Sequence, residues 1–212
     1  MIARITSKKE GYLDTDHDEV WQHVKKNYKE WRGNENPTLL YLTKRFAPGE
    51  TSLIVDAPNA ENFLEFLQDN ILHLNTISRA YIFNLMKSAF FPIPKGTCSD
   101  LKRFTVTINA EPKKYMEIYN AISRIKPEKY FVVGYIAYTF QEPGSDIVVS
   151  ILAKGISEAK AGVKKHIESL DGVLDTRITR ITKTRRLYPS SYAKETSRMP
   201  SLEDESLVLD MF

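Results

Sequence analysis

Apolar and polar positions along this chain alternate, then recur at helical spacing, then alternate again, in an order the chain runs through twice. The second pass is the clearer. Phe104-Thr-Val-Thr-Ile-Asn109 is a short β-rich run, and Glu111-Pro112 breaks it, with Pro112 placed to open a helix. Tyr115, Ile118, Tyr119 and Ile122 then fall at i, i+3, i+4 and i+7, which predicts an amphipathic helix ending near Ile125. Lys126-Pro127 stops it, because a residue before proline avoids helical dihedrals. Tyr130 to Phe140 is β-branched and aromatic, Pro143-Gly144-Ser145 has turn chemistry, and Asp146 to Leu152 completes a hairpin. Ser157 is placed to cap a helix carrying Ala159, Val163, Ile167 and Leu170 on one stripe. Asp171-Gly172 closes it, and Val173 to Leu187 reads as a long last strand.

The first pass has the same order. Ile2 to Leu13 predicts a strand with an interruption at Gly11, and Trp21, Val24, Tyr28 and Trp31 predict a helix ended by Gly33-Asn34. Thr38 to Phe46 and Thr51 to Val55 form a hairpin about Pro48-Gly49-Glu50. Asn59 caps a helix bearing Phe63, Leu67, Ile71 and Leu74, and Ile77 to Phe91 is the last strand. With Leu74 set on Leu170, an offset of 96, Ile71 falls on Ile167, Ile77 on Val173, Ile82 on Ile178 and Leu85 on Ile181. That period is too long for a solenoid and points to two copies of a whole domain.

Two β-α-β-β-α-β units predict an α+β protein of two ferredoxin-like sandwiches. The expected domains are 1–94 and 97–189, joined by the linker Pro92-Ile93-Pro94-Lys95-Gly96, with a flexible tail over 190–212. Tyr41 and Tyr135 take matching places on the second strands at an offset of 94. They mark an apolar second sheet face that needs a cover. The economical cover is the other repeat, giving a pseudo-dimer of the dimeric α/β-barrel kind.

Charge changes this picture little. The chain carries 30 Lys+Arg and 27 Asp+Glu, but residues 97–189 hold a surplus of six positive charges while 190–212 are acidic. With a pI near 8.8, this falls short of a committed nucleic-acid domain. The single cysteine, Cys98, allows no intrachain disulfide. No signal-like run opens the chain and no window approaches eighteen apolar residues, so the expectation is a cytoplasmic protein without membrane contact.

The second repeat resembles the effector-binding (RAM) domain of the Lrp/AsnC regulators. Pro143-Gly-Ser-Asp-Ile-Val-Val-Ser-Ile-Leu looks like the family's glycine-x-x-aspartate hairpin and following strand. Leu170-Asp-Gly-Val-Leu-Asp-Thr-Arg-Ile looks like its leucine-proline-glycine-valine segment with a threonine entering the last strand. The similarity covers about residues 103–187, and the first repeat looks like a diverged copy. The family glycine falls on Pro143, and the strand beginning near Met1 leaves no room for the family's helix-turn-helix. The resemblance implies a ligand-binding hairpin, with Asp146 pairing an amino group and the backbone near Gly144 holding a carboxylate. The ligand-binding candidates are Gly144, Ser145, Asp146, Thr176 and Tyr135. Turn formation alone also accounts for the first three.

Other constellations are weaker. Arg177, Arg180, Lys183, Arg185 and Arg186 form a basic run, but strand residues alternate faces, so direct DNA binding is not expected. Docking of the acidic tail is a competing use of that run. Glu61, Glu65 and Asp69 read as a solvated helix face. Asp14, Asp16, His17 and Asp18 lack a calcium loop's glycine and terminal glutamate, and no cofactor motif appears.

The leading expectation is therefore a non-catalytic protein binding an amino acid or related effector. It would act in transcriptional or metabolic regulation as a homo-oligomer or in assembly with Lrp/AsnC relatives. The first alternative is a barrel-fold enzyme or a haem- or small-aromatic-binding protein with an interior site. His17, His23, His73 and His166 fall singly, and His73 and His166 are its nearest candidate ligands, though both sit toward helix ends. The second alternative is a purely structural assembly module.

Overall fold

The computed structural model describes residues 2–7, 19–31, 37–46, 50–74, 77–91, 100–140 and 147–188. The strands of the first repeat are β1 (Ile2–Ser7), β2 (Thr38–Arg45), β3 (Thr51–Asp56) and β4 (Ile77–Phe90), and its helices are α1 (Glu19–Asn27) and α2 (Ala60–Asn70). The second has β5 (Lys102–Ala110), β6 (Phe131–Phe140), β7 (Ile147–Ala153) and β8 (Val173–Arg186), with α3 (Tyr115–Ile122) and α4 (Ile156–His166). This is the expected α+β fold class, two ferredoxin-like repeats of the dimeric α/β-barrel type.

The compact units do not follow the repeats throughout. The first unit takes the chain to Asn84 together with β8 from Thr182 onward, and the second takes β4 from Leu85 and β8 up to Ile181. In the first unit the sheet runs β4–β1–β3–β2–β8, and in the second β8–β5–β7–β6–β4. Backbone bonds tie in the borrowed strand ends: Leu187 N–H to Leu40 O at 3.0 Å in the first unit, and Phe91 N–H to Gly134 O at 3.0 Å in the second.

Each sheet buries one face under its helices because alternate strand residues are apolar. In the first unit Ala3, Ile5, Leu42, Leu53 and Val55 meet Val20, Val24, Phe63, Phe66 and Leu67. The helical stripe begins at Val20 rather than Trp21, which is only partly buried. In the second unit Phe104, Val106, Ile108, Val149 and Ile151 meet Ile118, Tyr119, Ile122, Ala159 and Val163.

Local signals explain the element ends. Asn59 caps α2 as expected, its side chain accepting from Asn62 N–H at 2.8 Å. Pro112 opens a short 3-10 turn, Pro112–Lys114, ahead of α3. α4 starts at Ile156 with Gly155 as its N-cap, two residues before the expected Ser157. Gly172 has φ of +85°, so the turn into β8 needs glycine. β1 is described only to Ser7, and the linker 92–96, Cys98, the acidic cluster 14–18 and the tail 190–212 lie outside the described residues.

Candidate functional site: the helix-free sheet faces

Of the ligand candidates drawn from the family resemblance, the structure describes Thr176 and Tyr135, which take opposite faces of the sheet. Gly144, Ser145 and Asp146 lie outside the described residues. Thr176 stands opposite Ile108, so it shares the helix-covered face, and its hydroxyl donates to Glu168 at 2.6 Å. Tyr135 stands opposite Ser150 on the other face. Tyr135 and Tyr41 each follow a bulge, yet Tyr41 opposes Ile54. The two tyrosines are therefore not equivalent in register.

The candidate haem ligands also sit in the helical layer. His166 is the last residue of α4; its Nε2 lies 2.9 Å from Glu128, and its ring stacks on Phe131 at 5.5 Å. Exposed His73 follows α2 and packs edge-on against His23 at 5.0 Å. The basic run of β8 is divided as strand alternation requires. Arg185 donates to the Tyr28 hydroxyl at 3.4 Å on the helical side, whereas the Arg186 guanidinium lies 5.1 Å from the Tyr188 ring.

The side of the first unit's sheet away from the helices carries an unexpected polar constellation. Because β1 turns Ala3 and Ile5 to the core, Arg4 and Thr6 take the opposite face. β3 adds Ser52, and β2 adds Tyr41, Thr43 and Arg45. Arg4 donates through Nε to Ser52 Oγ at 3.1 Å, and its Nη2 lies 3.5 Å from Glu50 Oε2. Arg45 Nη1 reaches the same carboxylate oxygen at 3.4 Å. These three side chains are mostly enclosed, at 22%, 15% and 20% exposure for Arg4, Arg45 and Glu50. Two guanidiniums thus converge on one carboxylate oxygen.

Tyr41 and Tyr188 lie farther along this face, hydroxyl to hydroxyl at 3.1 Å, with rings at 85°. Thr184 shares the alternation of Arg186, and its Oγ1 is buried with no hydrogen-bond partner among the described residues.

The second unit repeats the core of this arrangement. Arg103 Nε donates to Ser150 Oγ at 2.8 Å, and Thr105 opposes Ser150 as Thr6 opposes Ser52. The sequence carries this signal as Arg-x-Thr at 4–6 and 103–105 with serines at 52 and 150. It is missed at an offset of 96, because these strands repeat at 99 and 98.

No family model matches the chain, and no curated protein matches it. Solved structures of similar fold do exist. One, described as a putative monooxygenase from Lactobacillus acidophilus, superposes with a TM-score of 0.53 at 11% identity, covering 88% of this chain and 96% of that one. A second protein so described, from Fusobacterium nucleatum, gives 0.50 at 12% identity over 87% and 94%. The siroheme decarboxylase NirDL gives 0.50 at 8% identity over 98% and 78%. At these identities the likeness shows the fold. It nonetheless corrects the leading expectation from the sequence. The neighbours bear enzyme names and side with the barrel-enzyme alternative, against a non-catalytic amino-acid-binding regulator. No helix among the described residues is long and apolar enough to cross a membrane.

Proposed function

We propose that this chain is a barrel-fold enzyme, of the oxidative kind named for two of its fold neighbours, acting on a small anionic molecule. The observation that carries the reading is the convergence of Arg4 and Arg45 on Glu50 beside Ser52. A pair of guanidiniums in a mostly enclosed polar setting favours a carboxylate or phenolate, which arginine grips through charge-assisted, bidentate bonds. The Tyr41–Tyr188 hydroxyl pair supplies a donor and an acceptor on the same face, and the Thr184 hydroxyl is available to a ligand. In this reading the arginines bind and orient the anion and stabilise negative charge, while the tyrosine pair passes a proton.

A histidine-held haem gains no support from these residues. Each described histidine lies in the helical layer, so none fits as an axial ligand on this face, and no step here is routed through haem. The test is oxygen uptake and calorimetric binding with a panel of hydroxylated aromatic carboxylates, on wild type and Arg45→Ala. A hydrogen bond to a charged group is worth about 1.5–3 kcal/mol, so Arg45→Ala should weaken binding about 10- to 100-fold. Absence of binding and turnover across the panel, or binding unchanged in Arg45→Ala, defeats the reading.

A further inference from the structure

The hydroxyl groups on the helix-free face of the first unit form a row across the sheet, and the row ends on a buried hydroxyl without a partner. Thr6 opposes Ser52, and Ser52 opposes Thr43. The row continues onto β8. Thr182 Oγ1 donates to Lys44 O at 3.2 Å and Leu187 N–H to Leu40 O at 3.0 Å, so β8 runs antiparallel beside β2 and Thr184 falls level with Thr43. Leu187 lies in the helical core and Arg185 reaches Tyr28 on that side, so Thr184 takes the other face. Its neighbours on that face are engaged within the protein. Ser52 Oγ accepts from Arg4 Nε, Thr43 Oγ1 donates to Ser52 O at 3.5 Å, and the Tyr41 and Tyr188 hydroxyls bond each other. Thr184 Oγ1 is buried and has no hydrogen-bond partner among the described residues. Such a group is costly to leave unpaired, which points to a partner from outside the chain.

The position of Thr184 says what that partner is. Arg45 stands two residues beyond Thr43 on β2, so Thr184 lies about 7 Å along the strands from the arginine, the span of one aromatic ring and its substituent. The edge-to-face rings of Tyr41 and Tyr188 give this face aromatic surface as well. We propose that Thr184 is the specificity-determining residue of the first-unit face, its hydroxyl bonding an oxygen one ring away from the carboxylate held at Arg4 and Arg45, so that the site selects para-hydroxylated aromatic carboxylates. This rests on the arginine reading above and adds the substrate feature which that reading leaves open. A ligand lacking the matching oxygen leaves the hydroxyl buried and unpaired, and sites of this kind reject such analogues strongly.

Calorimetric titration of the full chain with benzoate, ortho-hydroxybenzoate and para-hydroxybenzoate tests the proposal on wild type, Thr184→Val, Thr184→Ser and Arg45→Ala. Wild type should bind the para isomer at least tenfold tighter than benzoate, with the ortho isomer close to benzoate. Thr184→Val should bring the para isomer down to benzoate's affinity and leave benzoate itself unchanged, while Thr184→Ser keeps the preference. Thr184→Val should also melt no lower than wild type, because an apolar isostere replaces a hydroxyl that has no internal bond to lose. A wild type without para preference, as a water held on Thr184 would give, overturns the proposal. So does a preference that survives in Thr184→Val, or a clear fall in that variant's melting temperature. Arg45→Ala should weaken benzoate and the para isomer by the same factor. Arg45-dependent binding without para preference sinks the Thr184 assignment alone; binding indifferent to Arg45→Ala, or no binding of any of the three, sinks the arginine reading with it.

Discussion

Glu50→Gln probes the first-unit constellation most directly. The change preserves shape and removes one negative charge from between Arg4 and Arg45. Both guanidinium nitrogens lie within 3.5 Å of the same carboxylate oxygen. The two cations are therefore at most about 7 Å apart, and at an effective dielectric near 20 their bare repulsion is about 2 kcal/mol. Partial exposure and salt screening reduce that figure, so a loss of about 1–2 kcal/mol of stability is expected. For a chain of this length each kcal/mol moves the melting temperature by about 2–4 °C, giving a fall of roughly 2–8 °C at low salt. The deficit should shrink as salt rises. It should also be partly recovered by a small carboxylate, because the variant has one negative charge fewer beside the two guanidiniums. At a concentration 100 times its dissociation constant, such a ligand adds about 2.7 kcal/mol. Differential scanning calorimetry with and without benzoate reads all of these effects. A variant as stable as wild type at low salt, with no larger benzoate shift, refutes the charge argument.

Two further outcomes test the frame around the sites. An added Cβ at Gly162 on α4 would lie 2.0 Å from Phe131 Cδ2, so Gly162→Ala should cost about 1–3 kcal/mol of overpacking against a helix-propensity gain of about 1 kcal/mol. A lower melting temperature, relieved by adding Phe131→Leu, is expected, and a higher one rejects the contact. The Lys165 ammonium, together with His166, holds the Glu128 carboxyl below its usual range. A depressed carboxylate stabilises the fold above its unfolded value near 4.5, and that contribution is lost as pH falls through the lower folded value. Glu128 and Lys165 are both well exposed, so Glu128→Gln should cost about 0.5 kcal/mol or less at pH 7. The gap to wild type in urea midpoint should close by pH 3, and a gap that widens in acid contradicts this account.

Element order was legible in the sequence because hydrophobic period carries it. The second hairpin, the α2 stripe from Phe63 to Ile71 and the paired long strands all follow from alternation and helical spacing. The polar faces were not legible in the same way. Arg4 and Arg103 look like ordinary exposed strand residues until ladder register sets each beside a serine 48 and 47 residues away. Strand bulges hide the correspondence as well. One falls between Leu39 and Tyr41 and the other between Val133 and Tyr135, so a single numerical offset pairs Tyr41 with Tyr135 wrongly. The placement of His73 and His166 in the helical layer was not legible either, because a helix end in sequence says nothing about which side of a sheet it serves.

The exchange of strand ends between the compact units has a consequence for the history of this chain. A freshly duplicated gene yields two halves that can still be parted at their junction. Here Leu85–Phe90 completes the second unit, and the end of β8 from Thr182 completes the first. A cut between β4 and β5 would leave each fragment holding a strand end whose hydrogen-bond ladder belongs to its sibling. Such an end is an unpaired edge that invites pairing with another chain. The two copies have thus become obligate, each needing a strand end that the other repeat supplies.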